Sequence, residues 1–219
     1  MDLTRPVDSV AIARITVGAQ LAAPSFFSSF DLPTYAFVAL IALVAALRFV
    51  ELRISRRNQQ RLIAQGAQKA ADPRFPAMVA LHSAVLVGAV AEVLLLSRPF
   101  YLPLGVAMFS LFLGANALRW WVIETLGTHW NVQVMNSGGL GVVIDGPYRW
   151  VRHPNYTAVF VEMFSLPMIH TAWITALIGS AAHAWVLRGR VQAEEQVLLA
   201  NPRYRAAMER KPRFIPGLF

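Results

Sequence analysis

Long uncharged apolar runs constrain this chain most. Residues 32–51 contain a stretch from Tyr35 to Leu47 without a single charge. Residues 77–96 and 101–122 are similar, broken only by His82 and Glu92 in the first and by Arg119 in the second. About 20 apolar residues cross the hydrocarbon of a bilayer as one helix. A fourth apolar region, residues 156–187, is roughly ten residues too long for one crossing. Pro167 lies near its middle, and proline breaks a helical ladder. That region therefore reads as two helices joined near Pro167 to His170. The expected fold is an all-α polytopic membrane protein with about five transmembrane helices, the last two forming a C-terminal hairpin.

Composition agrees. The chain is 56% hydrophobic and 15% charged, with a mean hydropathy of +0.48. Soluble domains carry about a quarter charged residues, which argues against a soluble helical protein. The formal charge of +8 does not point to nucleic acid. The basic residues sit in blocks beside apolar runs and lack interleaved aromatics. One block, read as a loop over residues 53–75, holds Arg53, Arg56, Arg57, Arg61, Lys69 and Arg74, and a second begins at Arg188. By the positive-inside rule both are cytoplasmic. The N-terminus is then outside and the C-terminus inside. Residues 1–31 read as an interfacial segment. Residues 32–219 form the membrane domain, with the polar, ligand-binding half at about 123–219. There is no cysteine, and the five histidines show no metal-ligand spacing, so no metal site is expected.

Single polar residues in the apolar runs have two readings. His82 and Glu92 either serve function, as ionisable groups at membrane depth often do, or are paired inside the bundle. Arg48 reads as an interfacial residue snorkelling to the headgroups. Arg119, three residues from Asn116, reads the same way, with a place in the site as the lesser alternative.

The densest polar cluster is residues 146–156: Gly146, Pro147, Tyr148, Arg149, Trp150, Val151, Arg152, His153, Pro154, Asn155 and Tyr156. Pro154 suits a first helical turn, whose free N–H groups can receive a carboxylate. The hairpin that follows returns Arg190, Glu194 and Glu195 to the same face. Arg190 and Glu194 are one helical turn apart. One glutamate can then pair with Arg190 while the other faces a cationic ligand. Residues 191–209 read as a short amphipathic helix interrupted at Asn201 and Pro202. Plain interfacial anchoring and an exposed ion pair are the simpler explanations of these two pieces, but they do not explain why the pieces flank one hairpin.

Arg152-His153-Pro154-Asn155-Tyr156, followed by Glu194-Glu195, resembles the signature of the isoprenylcysteine carboxyl methyltransferase family. The same signature occurs in its phospholipid-methyltransferase and sterol-reductase relatives. The resemblance covers roughly residues 100–219, including the Gly146-Pro147-Tyr148 lead-in and the closing Ile215-Pro216. It implies S-adenosylmethionine as cofactor, bound on the cytosolic side under the C-terminal segment, and a lipophilic substrate arriving from the bilayer. It assigns cofactor contact to Gln133, Tyr148, His153, Pro154, Tyr156 and Glu195, and a catalytic polar pair to Arg190 and Glu194. The family's histidine before the Gly-x-Tyr is Leu140 here, its Phe-Gly after the glutamates is Ala200-Asn201-Pro202, and a second family tyrosine is Met208. A bacterial member would sit in the inner membrane. It would O-methylate a carboxylate or hydroxyl on a prenylcysteine-like or long-chain polyketide lipid, such as an alkylpyrone or alkylresorcinol. The competing expectations are an NADPH-dependent membrane reductase of the sterol-reductase type and a non-catalytic membrane protein.

Overall fold

The computed structural model describes residues 31–136 and 141–215. Apart from Asp31, the N-terminal segment lies outside the described residues. So do the turn at Ser137-Gly138-Gly139, Leu140, and the tail from Pro216. The described part is helical: α1 (Leu32–Ala64), α2 (Phe75–Leu95), α3 (Leu102–Leu126), α4 (Pro154–Met168), α5 (Trp173–Leu198) and α6 (Pro202–Met208). Two short strands, β1 (Gln68–Lys69) and β2 (Met135–Asn136), pair antiparallel, with Gln68 opposite Asn136. α4 lies between α3 and α5, and α2 packs on both α5 and α1.

α1 starts where the Asp31 carboxylate accepts the Thr34 N–H at 3.1 Å, with proline in its first turn. It runs for 33 residues, roughly 50 Å at 1.5 Å per residue. That exceeds the ~30 Å hydrocarbon, so the helix continues past the apolar run. The basic residues Arg53 to Arg61 are therefore helical and not a loop as expected. Arginine, glutamine and leucine are good helix formers, and nothing in the segment stops the ladder. The break in the fourth apolar region falls where proline placed it, between Met168 and Trp173. The amphipathic segment after it is corrected in the same sense as α1. Residues 191–198 are the end of α5, and a new helix begins only at Pro202, capped by the Asn201 side chain.

Among the described residues three helices, α1, α2 and an extended α3, are long and apolar enough to cross a membrane. Their outer faces keep large apolar side chains exposed, Val87 at 69% and Leu113 at 51% among them. Water would penalise such a surface. The apolar core gathers Phe37, Ile41 and Val44 of α1, Ala89 and Val93 of α2, Phe112 of α3, and Leu166 of α4.

The polar residues of the spans turn inward. Glu92 accepts the N–H groups of Ile174 at 3.1 Å and Thr175 at 2.7 Å, the Thr175 hydroxyl, and the Arg98 guanidinium. It caps α5 from a neighbouring helix, because Ala172, at the cap position, has no side-chain acceptor. Glu92 thus follows the structural reading. Arg48 and Arg119 do not snorkel. Arg119 pairs with Glu51, Arg48 with Glu51 and with Glu162 at 2.7 Å, and Asn116 accepts from Arg48 at 3.3 Å. Arg119 and Glu162 lie 3.7 Å apart. Two arginines and two glutamates thus neutralise one another between α1, α3 and α4.

Breaking a buried pair costs about 3–5 kcal/mol, because it strands the other charge. Glu51→Gln should lower the thermal midpoint in detergent, followed by tryptophan fluorescence. Adding Arg119→Leu should cost much less than the two single losses summed. Simple additivity would mean that the network is not coupled.

Candidate functional site

The site lies at the end of the bundle where α1 and α3 finish and α4 begins. Its floor is the irregular segment from Gly127 to Met135. Backbone groups without ladder partners must be satisfied locally. The Asn58 amide donates to the carbonyls of Gly127 at 3.1 Å and Trp130 at 2.9 Å, and the Ser55 hydroxyl accepts the Val132 N–H at 3.0 Å. Gln59 donates to the Gln133 side-chain oxygen at 2.9 Å. The β1–β2 pair ties the α1–α2 connection to the same segment.

The wall opposite is the Gly146–Arg149 turn. Gly146 has φ of 53°, and a Cβ there would collide with the Thr125 side chain. This explains glycine at the head of the motif. The turn delivers Tyr148 to the interior. Burial raises its pKa, and the charge of Glu194 and nearby Tyr204 raise it further, so the hydroxyl stays protonated.

Pro154 opens α4, and the N–H groups just before it are taken up by the C-terminal segment. Those of Arg152 and His153 donate to the carbonyls of Pro212 and Arg213, both at 2.9 Å. The C-terminal segment forms a strap there. It is also held by Lys211 donating to the Tyr148 carbonyl and by Thr157 donating to the Phe214 carbonyl.

Glu195 is the buckle of this strap. Its carboxylate accepts from His153 at 3.1 Å and from two nitrogens of Arg213 at 2.7–3.2 Å, with Arg152 at 3.1 Å. Glu195 lies on the last turns of α5, beyond the apolar run. Burial pushes its pKa up, but the His153 and Arg213 hydrogen bonds and the charges of His153 and Arg152 outweigh that and hold it at about 2.

Glu194, one position earlier, points elsewhere. It accepts the Tyr156 hydroxyl, whose oxygen in turn accepts Arg190 Nε at 3.2 Å. The expected direct pairing of Arg190 with Glu194 is thus replaced by a bridge through Tyr156. Arg190 also donates to the Val132 carbonyl and the Met78 sulfur and lies 3.4 Å from Asp72.

A chamber fills the space between these walls. Its outer part and its inner part share Asn131, Gln133, Tyr148, Arg152 and Glu194. His153, Tyr156 and Arg190 line the inner part alone. Pro154 and Glu195 line neither. A third space is an apolar groove between α1 and α2, bordered by the exposed Phe49, Val79 and Val87. Groove and inner chamber share Met78, His82, Arg119 and Val132. Asp72, Asn131, Glu162 and Tyr204 join the site or its support without having been marked in the sequence. They carry no motif, and only packing brings them there.

The profile of the isoprenylcysteine carboxyl methyltransferase family matches residues 106–200. An uncharacterised protein of Bacillus subtilis, YpbQ, is 32% identical over 163 residues, 74% of this chain and 96% of that protein. The chain belongs to the isoprenylcysteine carboxyl methyltransferase family. An uncharacterised protein of Haemophilus influenzae is 27% identical over 162 residues, 72% of this chain and 91% of its own. A solved structure of the eukaryotic intramembrane Ras methyltransferase of this family superposes with a TM-score of 0.62, covering 90% of this chain and 70% of that one, at 19% identity. The fold is therefore that of an integral membrane member of the family.

A depressed carboxylate stabilises the fold above its unfolded value and stops doing so as pH falls through the folded one. The Glu195 contribution is fully present above the ordinary value of 4.5 and disappears towards about 2. The wild-type thermal midpoint should therefore drop between pH 5 and pH 3, read as about half a unit steps. Glu195→Gln should start lower and show a flatter slope over that range. An unchanged slope would remove Glu195 from its place as the strap's buckle.

Proposed function

We propose that this protein is an S-adenosylmethionine-dependent methyltransferase of lipophilic acceptors. In this reading five helices cross a bacterial inner membrane, with the chamber at the cytosolic end. The observation that carries it is the junction of a polar chamber with an apolar groove at Met78, His82, Arg119 and Val132. A polar donor and a membrane-borne acceptor can meet there. The arginine-rich end of α1 and the α5 arginines lie at the chamber end, which supports the orientation.

The chamber's side chains fit the cofactor. Arg152 Nε and Asn155 Oδ1 are buried without hydrogen-bond partners, an arrangement native interiors avoid unless a ligand or water satisfies them. Arg152 suits the carboxylate of the amino-acid portion, Glu194 its ammonium or the cationic sulfur, and Tyr148 and Tyr204 the purine. Gln133 supplies an amide edge. His153 and Glu195 act through the strap, and Pro154 by starting α4. Bound S-adenosylmethionine supplies an electrophilic methyl group on sulfur.

The residues' work is alignment and exclusion of water. The strap fixes the start of α4, from Arg152 to Thr157, whose side chains line the chamber at Arg152, His153, Asn155 and Tyr156. Arg190, anchored on Val132 and Tyr156, presents a cation at the junction and orients the acceptor oxygen. Tyr156 and Glu194 hold that guanidinium in place. The acceptor is a carboxylate or hydroxyl on a long apolar tail, of the prenylcysteine or the alkylpyrone and alkylresorcinol kind, with the tail in the α1–α2 groove.

Calorimetry on the detergent-purified protein tests the cofactor. S-adenosylmethionine should bind, and Arg152→Ala and Glu194→Gln should each weaken it about tenfold, or 1.4 kcal/mol. Absence of heat at roughly 0.5 mM ligand, a binding energy below about 4.5 kcal/mol, would sink the reading. Arg190→Ala should leave cofactor affinity within about twofold and lower turnover about 100-fold, the cost of a misplaced acceptor.

A further inference from the structure

His82 and His183 have no part in the functions assigned above. His82 on α2 and His183 on α5 meet edge to face, with ring centroids 5.4 Å apart. Both line the inner chamber, and His82 also lines the apolar groove. His183 is 1% exposed, and neither of its ring nitrogens has a partner.

The backbone sets the His82 ring. Its Nδ1 lies 2.7 Å from the Met78 carbonyl. A carbonyl oxygen only accepts, so Nδ1 carries the hydrogen. In the neutral imidazole the lone pair is then on Nε2. Among the described residues that bond to Met78 is the ring's one hydrogen bond. A fixed lone pair therefore stands where the groove enters the chamber. Arg119 and Arg190 line the same inner space. An oxygen placed there meets cations, and a hydrogen on that oxygen meets Nε2. A carboxylate has no hydrogen to give and would set lone pair against lone pair.

We propose that His82 is the acceptor-side catalytic residue and that the acceptor is a hydroxyl on a lipophilic molecule, a phenol or enol and not a carboxylate. This rests on the methyltransferase reading above and narrows it. As the acceptor's O–CH₃ bond forms, the sulfonium's S–CH₃ bond breaks and leaves its electron pair on sulfur. The O–H bond breaks with its proton going to His82 Nε2, and the proton then leaves through the chamber to water. His183, packed against the ring, fixes its plane.

Two variants separate the two halves of this role. The Asn amide in His82→Asn can keep the Met78 hydrogen bond but has nothing at the Nε2 position. The Gln oxygen in His82→Gln can accept a hydrogen bond near that position but cannot take a proton. The probes are a long-chain alkylphenol and a fatty acid of equal tail length, each titrated into the full-length protein and then assayed with labelled methyl donor. S-adenosylmethionine calorimetry on every variant reports folding. If the wild type fails to bind S-adenosylmethionine, the methyltransferase reading itself falls.

Given that binding, wild type should bind and methylate the phenol and leave the fatty acid unmodified. His82→Asn should weaken phenol binding at least tenfold. His82→Gln should keep binding within about threefold and lose turnover about 100-fold, the usual scale of general-base catalysis. The loss should shrink for a nitro-substituted phenol that is already ionised. Three results overturn the proposal: no phenol binding to wild type, methylation of the fatty acid in preference to the phenol, or full turnover in His82→Gln.

Discussion

Four charges in an apolar bundle set the terms for the rest. Arg48 and Glu51 on α1, Arg119 on α3 and Glu162 on α4 sum to zero and satisfy one another. An unpaired ion in such a place costs several kcal/mol. In lipid, burying one apolar side chain against another gains little over burying it in acyl chains, so polar contacts and close packing hold helices together. The quartet gives α1 its attachment to α3 and α4. Phe37, Ile41 and Val44 pack α1 against Ala89 and Val93 of α2, and the groove between the two helices lies beside the quartet, with Arg48, Glu51 and Arg119 in its lining. Arg119 is both a strut of this network and a lining residue of groove and chamber. The same group that makes the bundle cohere also marks where its two spaces meet.

The polar end obeys a second constraint. Irregular backbone near a membrane needs partners from within the protein. Residues 127–135 find them in the Ser55 and Asn58 side chains on the overlong α1, and in Arg190 from α5. The extra turns of α1 thus carry the floor of the site, not a loose basic loop. Neighbouring positions on α5 then do different work. Glu194 turns into the chamber and Glu195 into the strap, because successive side chains on a helix diverge by about 100°.

The helices were legible from the sequence because each rests on a strong local signal: an unbroken apolar run, or Pro167 inside a run too long for one crossing. The motif residues were legible as a group for the same reason, since Gly146, Tyr148 and Pro154 each answer a local backbone demand. What was not legible depends on partners far along the chain. Glu51 and Glu162 look like ordinary charges until Arg48 and Arg119 are beside them. Glu92 looks functional until the bare start of α5 is seen against it. Arg190 and Glu194 have the spacing of an ion pair, yet Tyr156 inserts between them. The strap's use of the Arg152 and His153 N–H groups has no signature in the Pro212-Arg213 sequence.

The chamber and the groove share Met78, His82, Arg119 and Val132, the one lying at the polar end of the bundle and the other between α1 and α2. Two ligands using them would not share a door. A water-soluble molecule has no reason to pass through the groove, and a long apolar tail has none to enter by the polar end. Arrival of either leaves the other's path clear, so neither has to bind first. If the chamber takes the donor and the groove the lipid, each product would likewise return to the phase it came from.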